Sequence, residues 1–146
     1  MSFVPDVFEP PRRLATQEFE LEPLGPEHND DDYAAWSSSL EHIAATPGFE
    51  RSSWPRPMTL EENRRDLERH ARDFAARTGF TFTVREPDQG RIFGCLYIYP
   101  HEDGVHDARV TSWVTADRAE LDVPLRDVVR AWLRDDWPFV YPDYPG

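Results

Sequence analysis

The chain has 146 residues, of which 39% are hydrophobic, 30% charged and 13% aromatic. That suffices to close one hydrophobic core and is too short for two ordinary domains, while the aromatic content argues against disorder. With 28 acids against 16 bases the net charge is -12, a field that repels nucleic acid and anionic membranes, so neither is expected as a partner.

Every base is arginine, which excludes lysine Schiff-base chemistry. Cys95 is the single cysteine, so no internal disulfide can form and a reducing compartment suits the chain. The start, MSFVPDVFEP, has neither a basic segment nor an apolar run of secretory length, and no later run approaches a membrane span. A cytoplasmic protein is expected.

Residues 1–17, interrupted by Pro5, Pro10 and Pro11, read as an N-terminal arm laid on the domain or on a partner, and residues 18–146 as one domain. EFELE at 18–22 alternates as a strand that should stop before Pro23. Tyr33, Trp36, Leu40 and Ile43 then recur at helical spacing, with Asp30, Asp31 and Asp32 favouring the positive N-terminus and Thr46-Pro47-Gly48 ending the helix. FERSSWPRPM at 49–58 is an irregular link kept extended by its X-Pro steps.

Thr59 and Glu62 have capping-box spacing. They open a helix expected to reach about Thr78, with Leu60, Leu67, Ala71 and Phe74 inward and Gly79 as its stop. The pairs Glu61/Arg65, Glu68/Arg72 and Asp73/Arg77 are worth roughly 0.2–0.5 kcal/mol each on a solvated face. Phe80, Phe82 and Val84 alternate with threonine, and Asp88-Gln89-Gly90 turns this half-buried strand into the apolar run RIFGCLYIY, giving an antiparallel hairpin. A strand at 109–115 feeds a helix marked by Leu125, Val128, Val129, Trp132 and Leu133, with Pro124 in its first turn. Only a short strand near 139–141 fits into WPFVYPDYPG.

This order, with FELEPLGPEH, GRIFGCLYIYP and SWVTADRAELDVPLRDVVRAWL, resembles the GNAT (GCN5-related) N-acetyltransferase superfamily over roughly residues 18–141. The resemblance implies an α/β (α+β) fold whose mixed, mainly antiparallel sheet is flanked by helices, with the family's later C-terminal elements missing. It also implies acetyl-CoA, whose pyrophosphate the family wraps in a Gln/Arg-x-x-Gly-x-Gly/Ala loop. The match here begins at Arg118, but Leu121 and Val123 fall on the small positions and Glu120 and Asp122 add negative charge, which crowds and repels a diphosphate. Arg118 is therefore a salt-bridging surface residue or a pyrophosphate ligand.

If CoA binds, Trp113 and the strand carbonyls around Val114 are placed to hold its pantetheine arm, and His106 or Glu120 to receive an amine proton. The family's late tyrosine has no secure counterpart; Tyr141 and Tyr144 are candidates for that role or for packing. Cys95 reads as a small buried residue and His70 as a packing residue. His101 and His106 with Glu102, Asp103 and Asp107 read as a solvated hairpin loop, and no metal is expected.

Three functions remain. The first is a degenerate acetyltransferase-like domain that binds a small ligand or partner with little acyl transfer, no cofactor being required. The second is an active acetyl-CoA-dependent N-acyltransferase acting on an amine. The third is a non-catalytic homodimer formed through an open sheet edge.

Overall fold

The computed structural model describes residues 2–146. Its centre is the hairpin whose alternation is clearest: β3 (Phe80–Arg85) and β4 (Ile92–Tyr99) pair antiparallel, joined by a turn in which Asp88 and Gln89 adopt φ of 63° and 60°. Register shifts at Val84/Arg85, leaving Phe93 as an extra residue on β4. This bulge turns Phe93 toward the core that holds Leu96 and Ile98, while Ile92 joins the opposite core with Cys95.

β1 (Leu14–Ala15) and β2 (Glu20–Pro23) extend the sheet antiparallel on one side of this hairpin, and β5 (Ala108–Val114) does so on the other. β6 (Pro142–Asp143) then pairs parallel with the start of β5, in the order β1-β2-β3-β4-β5-β6. The sheet thus begins inside the segment expected to be an arm, and Phe3, Val4 and Phe8 pack on the core. β2 also includes Pro23. β1 pairs no further than Leu21, so the missing Pro23 N–H costs no ladder bond.

The single helix expected after Asp30 is two: α1 (Asn29–Ser37) and α2 (Leu40–Ala44). Three serines lie at the break, and Ser37 and Ser38 turn their hydroxyls onto the Tyr33 and Ala35 carbonyls at 2.5 and 2.7 Å, a local alternative that favours breaking the helix. α3 (Leu60–Ala76) has the reciprocal cap, with Glu62 N–H donating to Thr59 Oγ1 at 3.0 Å and Thr59 N–H to Glu62 Oε1 at 2.8 Å.

α3 stops at Arg77, left-handed at φ 64°, rather than at Gly79, because Arg77 donates to the Pro5 and Phe8 carbonyls at 2.8 and 2.7 Å. Gly79 serves close approach instead: a Cβ there would lie 2.1 Å from the Tyr99 ring. The buried face of α3 is Asn63, Leu67 and Phe74, while Leu60 is 43% exposed. Of the three expected ion pairs only Glu61–Arg65 forms among the described residues, at 3.9 Å; Arg69 bridges Asp66 and Asp73 instead.

Alternation along β5 divides the interior. Val110 and Val114 face α4 (Asp122–Asp136) with Leu125, Val129, Trp132 and Leu133, whereas Trp113 joins Trp36, Ile43, Leu67 and Cys95 beneath α1–α3. Cys95 is fully buried there, as its position in the strand implies. The last strand lies at 142–143 rather than 139–141, since the Asp107 carboxylate takes the Val140 and Tyr141 N–H groups at 2.6 and 3.1 Å. Among the described residues no helix is long and apolar enough to cross a membrane.

Candidate functional site

The 49–58 link, which has no regular structure, forms one wall of an open pocket of about 360 Å³. α1 and α3 form the second wall and the β4–β5 face the floor, with Phe49, Trp54, Met58, Leu67 and Tyr97 supplying apolar surface. Trp54 lies between the core and this space in tilted and edge-on ring contacts, its ring centroid 5.5 Å from Trp36, 6.1 Å from Trp113 and 6.4 Å from Tyr97. Beneath it the Trp113 indole N–H donates to the Tyr97 hydroxyl at 3.0 Å, which fixes the floor.

Asp32 is the chemically informative group in this pocket. It is 4% exposed, yet among the described residues the one side chain bonded to its carboxylate is Asn63, whose Nδ2 donates to Oδ2 at 3.1 Å. Asn63 also donates to Asn29 Oδ1 at 2.9 Å and accepts from the Trp36 indole at 3.1 Å, so its amide is locked in place. Burial raises the Asp32 pKa from 3.8 to about 6; the Asn63 bond and the nearby His28 ring oppose that rise, and Asp66 adds to it. A carboxylate with spare acceptor capacity in an aromatic-walled pocket is suited to receiving a positively charged hydrogen-bond donor.

His70 lines the same pocket from α3. Its Nδ1 lies 2.9 Å from both the Thr81 and Tyr99 hydroxyls, and Tyr99 donates onward to Asp73 at 2.8 Å. Burial lowers its pKa from 6.5 to about 4, reinforced by Arg69, so the ring is neutral near pH 7. Arg69 itself is half-exposed and engaged with Asp66 and Asp73, and Arg56 is exposed, so the arginines lie toward the mouth and the carboxylate at the base.

The residues expected from sequence do not line this pocket and form two separate groups, Arg118 with Glu120 after β5 and His106 with Tyr141 at its start. Arg118 Nη1 holds Glu86 at 2.9 Å and Nε holds Glu120 at 3.3 Å, and its guanidinium lies 4.8 Å over the Phe93 ring. Glu120 is exposed. His106 and Tyr141 stack on each other at 4.5 Å at the opposite end of β5, a strand length of about 20 Å away. Trp113 is fully buried on the pocket-side face, and Val114 on the α4 face. Tyr144 is half-buried and reaches back toward β5, its hydroxyl 2.6 Å from Ser112 Oγ.

Three of the amides in the stretch that would cradle a diphosphate are also occupied. After β5 the chain makes a 3-10 turn at Ala116–Leu121, in which Ala116 N–H donates to Ser39 Oγ at 2.8 Å and Arg118 N–H to the Thr115 carbonyl at 2.9 Å. Asp122 N–H bonds the Ala119 carbonyl. Its carboxylate, 2.8 Å from His42 Nε2, puts a negative charge at the start of α4.

Several solved structures share this fold. A ribosomal-protein-alanine acetyltransferase from Vibrio fischeri superposes with TM-score 0.63 at 12% identity, over 83% of this chain and 66% of that one. The ribosomal alpha-N-protein acetyltransferase RimL, solved with coenzyme A, gives 0.64 at 12%, over 84% and 68%. The fold is GNAT-like. The microcin C7 self-immunity acetyltransferase MccE, solved with acetyl-CoA and AMP, gives 0.64 at 12%, over 87% and 69%. At these identities the likeness is one of fold, and the chain spans about two thirds of the length of those GNAT-like structures. No protein-family model matches the sequence, and neither does any curated protein.

Sequence reasoning passed over Asp32, Asn63, Trp54 and Tyr97. One signal was available: Asn63, Leu67, His70 and Phe74 share helical spacing, so two polar residues lie on the inner stripe of α3 and require buried partners.

Proposed function

We propose that this GNAT-like domain binds a small organic amine in the pocket between α1, α3 and the β4–β5 face, with its ammonium group at Asp32 and its apolar body against Phe49, Trp54 and Tyr97. One observation carries this reading: a buried carboxylate, bonded to a single amide among the described residues, lines an aromatic-walled pocket. A volume of about 360 Å³ is within the range of small-ligand sites. The net charge of -12 raises the local concentration of cations. Occupation of the Ala116, Arg118 and Asp122 amides and the Glu86 and Glu120 contacts of Arg118 support weak or no engagement of CoA, and hence little acyl transfer.

A second reading has its own support. A carboxylate with a pKa of about 6 suits a general base that takes the proton of an acceptor ammonium, and RimL and MccE were solved with CoA and acetyl-CoA, so an acetyl-CoA-dependent N-acyltransferase is the alternative. Calorimetric titration with phenethylamine, 3-phenylpropionate and acetyl-CoA separates the two. The amine-binding reading expects saturable heat from phenethylamine, none from the anion or acetyl-CoA, and loss of the amine signal in Asp32→Asn. Saturable acetyl-CoA binding would favour the enzyme, and silence from the amine would refute the pocket assignment.

A further inference from the structure

We propose that His101, His106 and Asp143 form a binding site for one zinc-type divalent cation, which fastens the C-terminal strand β6 to the tip of the β4–β5 hairpin. Ligand atoms of these three half-buried residues all lie within 4.8 Å of one another. Two imidazoles and a carboxylate are a donor set that suits zinc and its first-row neighbours rather than magnesium or calcium.

The hydrogen bonds orient the rings as a metal site requires. The Asp103 carboxylate holds His106 Nδ1 at 2.6 Å and is itself fixed by the Val105 and His106 backbone N–H groups, each at 2.9 Å. His106 Nε2 is thereby left with its lone pair outward, the carboxylate–histidine arrangement that raises ligand basicity. Tyr141, stacked on the His106 face at 4.5 Å and 18°, restricts the ring further, and the two histidine rings stack at 5.1 Å.

On His101, Nδ1 accepts the Asp103 backbone N–H at 3.2 Å, which places the ring proton on Nε2, 2.8 Å from Asp143 Oδ2. A divalent ion would displace that proton. With bonds of about 2.0–2.1 Å, tetrahedral ligands stand roughly 3.3 Å apart, so the His101–Asp143 contact opens slightly while His106 closes in. Asp143 and Asp103 together balance the charge of the ion. Arg109, the register partner of Asp143, is the cation on the neighbouring strand and makes no ion pair among the described residues.

This site is separate from the Asp32 pocket and does not depend on it. The test is titration of the tag-free full chain with Zn²⁺ by calorimetry and with Co²⁺ by visible absorption, alongside histidine NMR signals. The expected result is one equivalent bound, a tetrahedral Co²⁺ spectrum, a higher Tm, and shifts at His101 and His106 but not at His28, His42 or His70. His106→Gln and Asp143→Asn should weaken binding at least tenfold, and Asp103→Asn about 10–100-fold. Non-saturating binding, or wild-type shifts spread over all five histidines, would overturn the site without recourse to any variant. Unchanged affinity in His106→Gln would do so as well.

Discussion

Replacing Asp32 with asparagine should stabilise the protein at neutral pH, because the native carboxylate is charged where charge is costly. Its folded pKa of about 6 lies above the unfolded value near 3.8, so between these limits the folded state holds a proton that the unfolded chain has released. Stability contributed by Asp32 is therefore full below pH 3.8, falls as pH rises, and is lost above pH 6. The difference of roughly two pH units corresponds to about 3 kcal/mol, or roughly 6–12 °C in Tm for a chain of this size. The introduced side-chain amide retains an oxygen that can accept from Asn63, so the bond at 3.1 Å survives the exchange.

The informative quantity is the stability difference between variant and parent, since Asp103, Asp117 and His70 have lowered pKa values and all lose stability as pH falls. Urea melts of both proteins from pH 4 to 8 should show the advantage of the variant growing up to pH 6 and then levelling. Parallel curves across that range would refute the assignment of a buried, poorly compensated carboxylate.

His70→Asn should remove a dependence of the opposite sign. The His70 contribution is complete above pH 6.5 and lost as pH falls to about 4, so the variant gains on the parent through that window in the same melts. Thr83→Val replaces a buried hydroxyl that has no hydrogen-bond partner among the described residues by an isosteric methyl, and the urea midpoint should rise by the equivalent of about 1 kcal/mol. Trp54→Ala should reduce phenethylamine affinity by about tenfold through loss of ring contact with the cation and its apolar body, while far-UV circular dichroism stays unchanged.

The fold was legible where its cause was local. Alternation in Phe80–Val84, the apolar run at 92–99 and the Thr59–Glu62 cap each declare themselves within a few residues, and the structure places all three elements there, except that β3 is buried on both faces, Thr81 and Thr83 included, rather than half-buried. The site was not, because its members are chosen by distant partners. Asp30, Asp31 and Asp32 look alike at a helix start, and only Asn63, 31 positions away, distinguishes the last. His101 meets Asp143 only through the parallel pairing of β5 and β6. Period-two alternation from the buried Val110 puts Trp113 on the opposite face from Val114, so the indole lies under the pocket and the valine side chain against α4.

Backbone amide NMR of the full chain, titrated in parallel with phenethylamine and acetyl-CoA, tests most directly where this fold accepts a ligand. Saturable shifts with phenethylamine at Asp32, Trp54, Asn63, His70 and Tyr97, and none with acetyl-CoA at residues 112–122, are the predicted result. Shifts with acetyl-CoA clustered at 112–122, with the Asp32 pocket silent toward the amine, would contradict the account.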